Sequence, residues 1–234
     1  MRPSPIIAVL LGLAAAPLWA QSPNVPDAIQ LDPELKALRH SMIDGVPLAP
    51  TSLRRLADAG DGLAAFKFAR LLETGDGAWG DILHYDAIAL YTGREFATAR
   101  LVRGVKKNSD AVAAFGTLRR KSIEDALLIA TRRGNRDATV ALADMYATGV
   151  PFGEKPERAR ALLKPLAAEG DGAAALQVAL MAIGKDPARP IDETVAREML
   201  LVAAESPDLV TQSTAKNLLI LLPAEIAASE GVTQ

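Results

Sequence analysis

The 234-residue sequence predicts an all-α fold, a solenoid of stacked antiparallel helix pairs, on three observations. Hydrophobic residues make up 50% of the chain and aromatic residues only 4%, so the apolar content is chiefly Ala and Leu. Both are strong helix formers, and Ala lets helices approach closely. Runs of β-branched residues alternating with polar ones, the mark of a half-buried strand, are absent. The chain also repeats itself: Gly60-Asp-Gly-Leu-Ala-Ala-Phe-Lys-Phe-Ala-Arg-Leu-Leu-Glu-Thr-Gly75 aligns without gaps with Gly134-Asn-Arg-Asp-Ala-Thr-Val-Ala-Leu-Ala-Asp-Met-Tyr-Ala-Thr-Gly149, and a third copy starts at Gly170-Asp-Gly.

The first element, residues 1–20, is expected to stand outside the fold. Arg2 opens an apolar stretch from Ile6 to Ala16 that ends in Pro17, Leu18, Trp19 and Ala20, the layout of a secretory signal peptide cut after Ala20. The 11 apolar residues fall short of the roughly 20 that a bilayer-spanning helix needs, so no stable membrane insertion is expected after cleavage. The chain has no Cys, which removes a lipidation site, disulfides, thiol nucleophiles and thiolate zinc sites. A soluble periplasmic or secreted protein is the expectation. Loss of Arg2 takes the formal charge from −2 to −3, so no basic field attracts phosphates and nucleic acid is not an expected partner.

Residues 21–31 read as a disordered linker, and Asp32 to Met42 as an N-terminal capping helix. The repeat domain then runs over 32–222. Matched positions in the three copies are Ala64/Ala138/Ala174, Phe66/Val140/Leu176, Phe68/Leu142/Val178, Ala69/Ala143/Ala179 and Leu71/Met145/Met181. Each copy is one amphipathic helix. A second helix precedes it, since Leu53, Leu56 and Ala57 stand before Gly60 as Leu163, Leu166 and Ala167 stand before Gly170, with Leu127, Ala130 and Thr131 in the same register before Gly134. Gly60, Gly134 and Gly170 suit a tight helix-ending turn that needs positive φ. Asp61, Asn135 and Asp171 follow, each a side-chain oxygen placed to cap the next helix rather than to act as an acid. Ala167-Ala168-Glu169-Gly170 recurs as Ala203-Ala204-Glu205-Ser206, so the turns at 134, 170 and 206 are 36 residues apart, while 60 and 134 are 74 apart.

The middle, residues 81–133, does not keep that period. It reads as four short helices, Ile82 to Tyr91, Glu95 to Val105, Asp110 to Leu118 and Ile123 to Arg132, punctuated by Thr92-Gly93, Gly104 and Asn108-Ser109. Two of the four fit a degenerate repeat and the rest an insertion. Thr211 to Leu222 is expected to cap the C-terminal end, and residues 223–234 to form a flexible tail.

A helix-pair period of about 36, with Ala-Ala-Glu-Gly-Asp at one turn and Met145-Tyr146-Ala-Thr-Gly149-Val150 at the other, resembles the Sel-like repeat family, a longer relative of the tetratricopeptide repeat. The resemblance covers Leu53 to Gly75 and Leu127 to about Leu221, and Ala159 to Gly184 carry it best. It implies a right-handed α-α superhelix and scaffold or adaptor roles.

Chemistry-bearing patterns are few. His40 and His84 are the only histidines and have no metal-ligand spacing, so both are expected at the surface or in loops. Gly75-Asp-Gly-Ala-Trp-Gly80 lacks the Lys-Ser/Thr of a phosphate-binding loop. No metal or cofactor is expected. Glu73, Asp76, Asp81 and Asp86 cluster near Trp79 and suggest, as the alternative, a peptidoglycan-active enzyme or a regulator of cell-wall enzymes; solvated loop charges explain them better, since nothing apolar nearby raises a carboxylate pKa. Trp79, read as a loop residue near Tyr85 and Tyr91, makes these three aromatics the candidate partner-binding residues, with packing on the next helix pair as the plainer explanation. Arg54-Arg55, Lys106-Lys107, Arg119-Arg120-Lys121 and Arg132-Arg133 fall mostly at helix ends, and a contiguous basic face on the middle segment stays open. The expected function is a non-enzymatic scaffold that binds another protein or peptide of the cell envelope.

Overall fold

The repeated pattern folds as consecutive helix pairs. The computed structural model describes residues 31–75, 77–184 and 192–222. The expected signal segment 1–20, residues 21–30 of the expected linker, Asp76, residues 185–191 and the expected tail 223–234 lie outside the described residues. Among the described residues every regular element is helical: α1 (Pro33–Ile43), α2 (Pro50–Asp58), α3 (Gly62–Thr74), α4 (Trp79–Tyr91), α5 (Thr98–Lys107), α6 (Ser109–Ala113), α7 (Thr117–Arg132), α8 (Arg136–Thr148), α9 (Pro156–Ala168), α10 (Gly172–Ile183), α11 (Glu193–Ala204) and α12 (Leu209–Leu221), with one 3-10 turn at Glu95–Ala97. Most helices pack on their neighbours in the chain, from α1 on α2 through α11 on α12; α4 also lies against α7, α5 against α8 and α10 against α12. No described helix is long and apolar enough to cross a membrane.

The turn chemistry is as the sequence predicts. Gly60, Gly134 and Gly170 hold φ of 89°, 84° and 89°, conformations costly for any residue with a Cβ. Asp61, Asn135 and Asp171 accept from the backbone N–H of Ala64, Ala138 and Ala174 at 2.8, 3.0 and 3.1 Å.

The irregular middle hides a fourth turn of the same kind. Gly93 has φ 93°, its N–H bonds to the Leu90 carbonyl at 3.0 Å, and the Arg94 N–H bonds to the Ala89 carbonyl at 2.9 Å. Gly60 and Asp61 make the same two bonds to Ala57 and Leu56 at 2.9 and 3.0 Å, the Schellman pattern of a helix ending on glycine. Counting from Gly93, buried Ala97 and Leu101 fall where Ala64 and Phe68, Ala138 and Leu142, and Ala174 and Val178 fall from the other three glycines. Residues α4 and α5 are therefore the missing helix pair, and α6 with Ala114–Gly116 is the extra segment.

Three sequence expectations need correction here. Trp79 is the first residue of α4 rather than a loop residue. The helix expected over Asp110 to Leu118 stops at Ala113, because the Phe115 ring turns to stack on Trp79 and Gly116, with ψ 149°, is extended and begins α7. Leu118 belongs to α7, which starts six residues before the expected Ile123. The capping helices α1 and α12 lie where expected to within two residues.

Consecutive turns approach each other through residues without bulk at two of these steps. A Cβ on Gly62 would come within 1.9 Å of Thr92 Oγ1, and one on Gly172 within 2.5 Å of Ser206 Cβ. At the intermediate turn, Arg136 stands in the place of these glycines and reaches Asp171 with a bidentate pair. The core between turns is small and aliphatic, with Leu56, Leu127 and Leu163 at most 1% exposed. Burying each such leucine contributes about 2 kcal/mol.

Candidate binding groove

The position seven residues before the turn glycine is apolar in three pairs: Leu53, Leu127 and Leu163. Before Gly93 the same position holds Asp86, a carboxylate with no exposure at all. An ionised group buried there needs a partner. Arg100 of α5 supplies it, donating from Nε to Asp86 Oδ2 at 2.7 Å and from Nη2 to Oδ1. Burial pushes the Asp86 carboxyl above its ordinary value, while the Arg100 hydrogen bonds and charge hold it down. Asp86 is thus a buried helix residue and not a solvated loop charge, which corrects the reading of the carboxylate cluster.

Arg100 also organises the surface above that pair. Its guanidinium carbon lies 4.6 Å from the Phe66 ring centre, and Nη1 lies 3.5 Å from Glu73. Phe66 meets Phe96 edge to face at 4.4 Å. These contacts fix which sides of α3 and of the chain from the 3-10 turn into α5 face each other. On α3, Arg70 lies between Phe66 and Glu73 at helical spacing; beyond Arg100, Arg103 and Lys107 continue the stripe at i+3 and i+7. The facing stripes of α3 and α5 thus bound a candidate groove, aromatic at one end and carrying Arg70, Arg103 and Lys107 along it, with Glu73 held by Arg100 in between. Phe96 is 57% exposed on its rim. Arg70, Arg103 and Lys107 are exposed and have no carboxylate partner among the described residues; Glu95 beside Phe96 and Asp110 three residues after Lys107 are exposed acids without one.

The sequence-predicted aromatics do not form one site. Trp79 stacks on Phe115 at 5.3 Å with planes 13° apart, Arg119 lies over the same Phe115 ring at 5.2 Å, and Arg119 pairs with Asp81 at 2.5 Å. This cluster pins the link between α6 and α7 onto the start of α4. Tyr85 is buried: its hydroxyl donates to Asp58 at 2.7 Å and its ring packs on Phe68 at 4.9 Å. Burial and that hydrogen bond push the phenol up to about 12. Tyr85 therefore offers no surface to a partner. Tyr91 is half-buried at the far end of α4, about 18 Å from Trp79 by helix rise, and its carbonyl accepts from Arg133 at 3.2 Å.

The carboxylates are dispersed as well. Asp81 and Asp86 point to different sides of α4, one to Arg119 and the other to Arg100, and Glu73 shares Arg100; Asp76 is outside the described residues. His84 is a half-buried residue of α4 rather than a loop residue, pushed below its ordinary pKa first by burial and then by Arg119, with Asp58 and Asp81 opposing. His40 is exposed in the last turn of α1. Among the described residues no group of three His, Cys, Asp or Glu could hold a metal ion. A cleft of about 170 Å³ lies between α5 and α8, lined by Val105, Ser109, Met145 and Pro151 and bridged by Lys106 and Asp144 at 2.9 Å. It is smaller than ordinary ligand pockets of roughly 300 Å³ and more.

The sequence reading placed a break at Thr92-Gly93 but missed its equivalence to the Gly60, Gly134 and Gly170 turns and, with it, the Arg100 side of α5. The signal was present in Ala97 and Leu101 at the repeat offsets and in Asp86 at a leucine position. Neither a protein-family model nor a curated protein matches this chain.

Proposed function

We propose that the chain is an exported protein–protein interaction scaffold built of Sel-like repeats, working in the periplasm or outside the cell. The observation that carries this reading is the α3–α5 face, where an exposed aromatic and cations without an acid partner among the described residues stand on consecutive helix pairs. Helix pairs that contact mainly their neighbours form extended surfaces suited to peptides and proteins, and the Sel-like repeat resemblance implies a right-handed superhelix. The signal-like segment 1–20 and the absence of Cys support export without lipid attachment.

Two measurements test it. The intact mass of the chain recovered from cells should begin at Gln21, and cell fractionation should find it outside the cytoplasm; a chain retaining Met1 in the cytoplasm defeats the export half. Incubation of purified chain with peptidoglycan should release no soluble muropeptides. Release that disappears in a Glu73→Gln, Asp76→Asn, Asp81→Asn variant would replace the scaffold by a wall-cleaving enzyme.

A further inference from the structure

Building on the scaffold reading, we infer that the α3–α5 groove is the docking site for an acidic segment of a partner protein that carries an aromatic or long apolar side chain. The argument is charge complementarity. Among the described residues the exposed cations without an acid partner are Lys36, Lys67, Arg70, Arg103, Lys107, Arg133, Arg158, Lys164 and Lys216, and four of these nine lie on α3 and α5 alone. Elsewhere many cations are paired, Arg39 with Asp61, Arg55 with Glu34, Lys121 with Asp125 and Arg136 with Asp171, and the unpaired ones are spread over several helices and turns. The chain as a whole is slightly acidic, so this concentration is local.

Arg70, Arg103 and Lys107 belong to the stripes that face each other across the groove, and Lys67 flanks them. Phe66 and Phe96 close one end, with Phe96 more than half exposed and already in an edge-to-face pair that a third ring can join. Arg100 does not serve the ligand by charge, because Asp86 and Glu73 engage it; it sets the spacing of the two helices. An acidic segment lying along the groove places carboxylates on Arg70, Arg103 and Lys107 and an apolar side chain against Phe96. Exposed charge pairs of this kind act mainly through rate and specificity and weaken with salt.

The probe is a fluorescent peptide of about a dozen residues, alternating Glu and Asp around one central Trp, titrated with the purified chain. Binding should weaken on the order of tenfold between ~50 and ~200 mM NaCl. The triple variant Arg70→Glu, Arg103→Glu, Lys107→Glu should lose at least about tenfold in affinity. The triple variant Lys36→Glu, Lys164→Glu, Lys216→Glu changes the charge equally with unpaired cations outside the groove and should bind as wild type. Phe96→Ala should weaken the Trp peptide but not its Trp→Gly counterpart. Absence of binding, equal loss in both charge-reversal variants, or preference for vesicles of phosphatidylglycerol over the peptide overturns the proposal.

A photo-crosslinking side chain placed at Phe96, or separately at exposed Leu201 on α11, distinguishes this failure from failure of the scaffold reading. Adducts from Phe96 to a net-acidic stretch of a partner are expected in the native envelope. Adducts from position 201 alone, or to a basic stretch, overturn the groove and leave the scaffold standing. No adducts from either position count against both.

Discussion

The turns at Gly170 and Gly93 are made from the same pair of backbone hydrogen bonds, yet they launch different helices. After Gly170, Asp171 caps α10 directly, and Arg136 from the preceding pair locks that Asp in place. After Gly93 the capping residue is Arg94, which has no acceptor to offer the helix. The chain passes through a 3-10 turn before α5 begins, and α5 has only 10 residues against 12 or 13 in α3, α8, α10 and α12. Before Gly170 a leucine fills the core; before Gly93 that place holds Asp86, which draws in Arg100. One backbone device thus builds a regular pair when cap and core agree with it, and a pair open to one side when both are replaced.

The largest effect should come from breaking the replacement in the core. Asp86→Ala leaves Arg100 mostly buried with only Glu73 at 3.5 Å, and is expected to cost about 3 kcal/mol in urea unfolding. Asp86→Leu with Arg100→Met restores the leucine of the other pairs and should recover that loss or exceed it, since apolar residues of similar volume often outperform a buried ion pair. If the double variant is as unstable as Asp86→Ala, the equivalence of Asp86 with Leu127 and Leu163 is wrong.

Next in size is the close approach of turns. Gly62→Ala drives a methyl into Thr92 and should lower stability by about 2 kcal/mol. Thr92→Gly should recover part of it, giving a coupling in a double-mutant cycle that Gly116→Ala, where nothing lies within 4 Å, does not show. Additive effects of Gly62→Ala and Thr92→Gly would mean that the turns do not touch as described.

The regular pairs were legible because a glycine turn, its cap and an alanine-rich helix are local and repeat in register, as at Gly60-Asp61 and Gly170-Asp171. The Gly93 pair was obscured because the two strongest local markers, the cap and the leucine before the turn, are both substituted. Its remaining marks, Ala97 and Leu101, are common residues that gain meaning only after the turn is placed. Asp86 was read as a solvated charge because its partner stands 14 residues away across a turn, a relation that spacing along one helix does not reveal. Trp79 and Phe115 are 36 positions apart, and their stacking depends on α4 lying against α7, a tertiary fact.

A smaller change should make the irregular turn resemble the regular ones. Arg94→Asp supplies the acceptor that Asp61 and Asp171 provide, and removes a guanidinium whose Nε is buried without a partner. The expected gain is about 1 kcal/mol by thermal or urea unfolding. A loss instead would show that the 3-10 entry into α5 depends on Arg94.

The smallest effect contrasts two arginine–aspartate pairs through pH. Asp171→Asn keeps a capping oxygen, as Asn135 does naturally, and removes only the charge that Arg136 meets. That pair is half exposed on the arginine side, so the cost at neutral pH should stay below about 1 kcal/mol. The Arg136 hydrogen bond holds the Asp171 carboxyl below its ordinary 3.8, so its contribution is present above that value and fades as pH falls through the lowered one. Asp86 has the opposite sign. Its carboxyl is raised, so the folded state holds the proton more tightly than the unfolded chain, and wild type should gain on Asp86→Asn as pH falls through the raised value. Unfolding curves for both variants between pH 3 and pH 6 should therefore diverge from wild type in opposite directions; parallel behaviour would remove the distinction between the surface pair and the buried one.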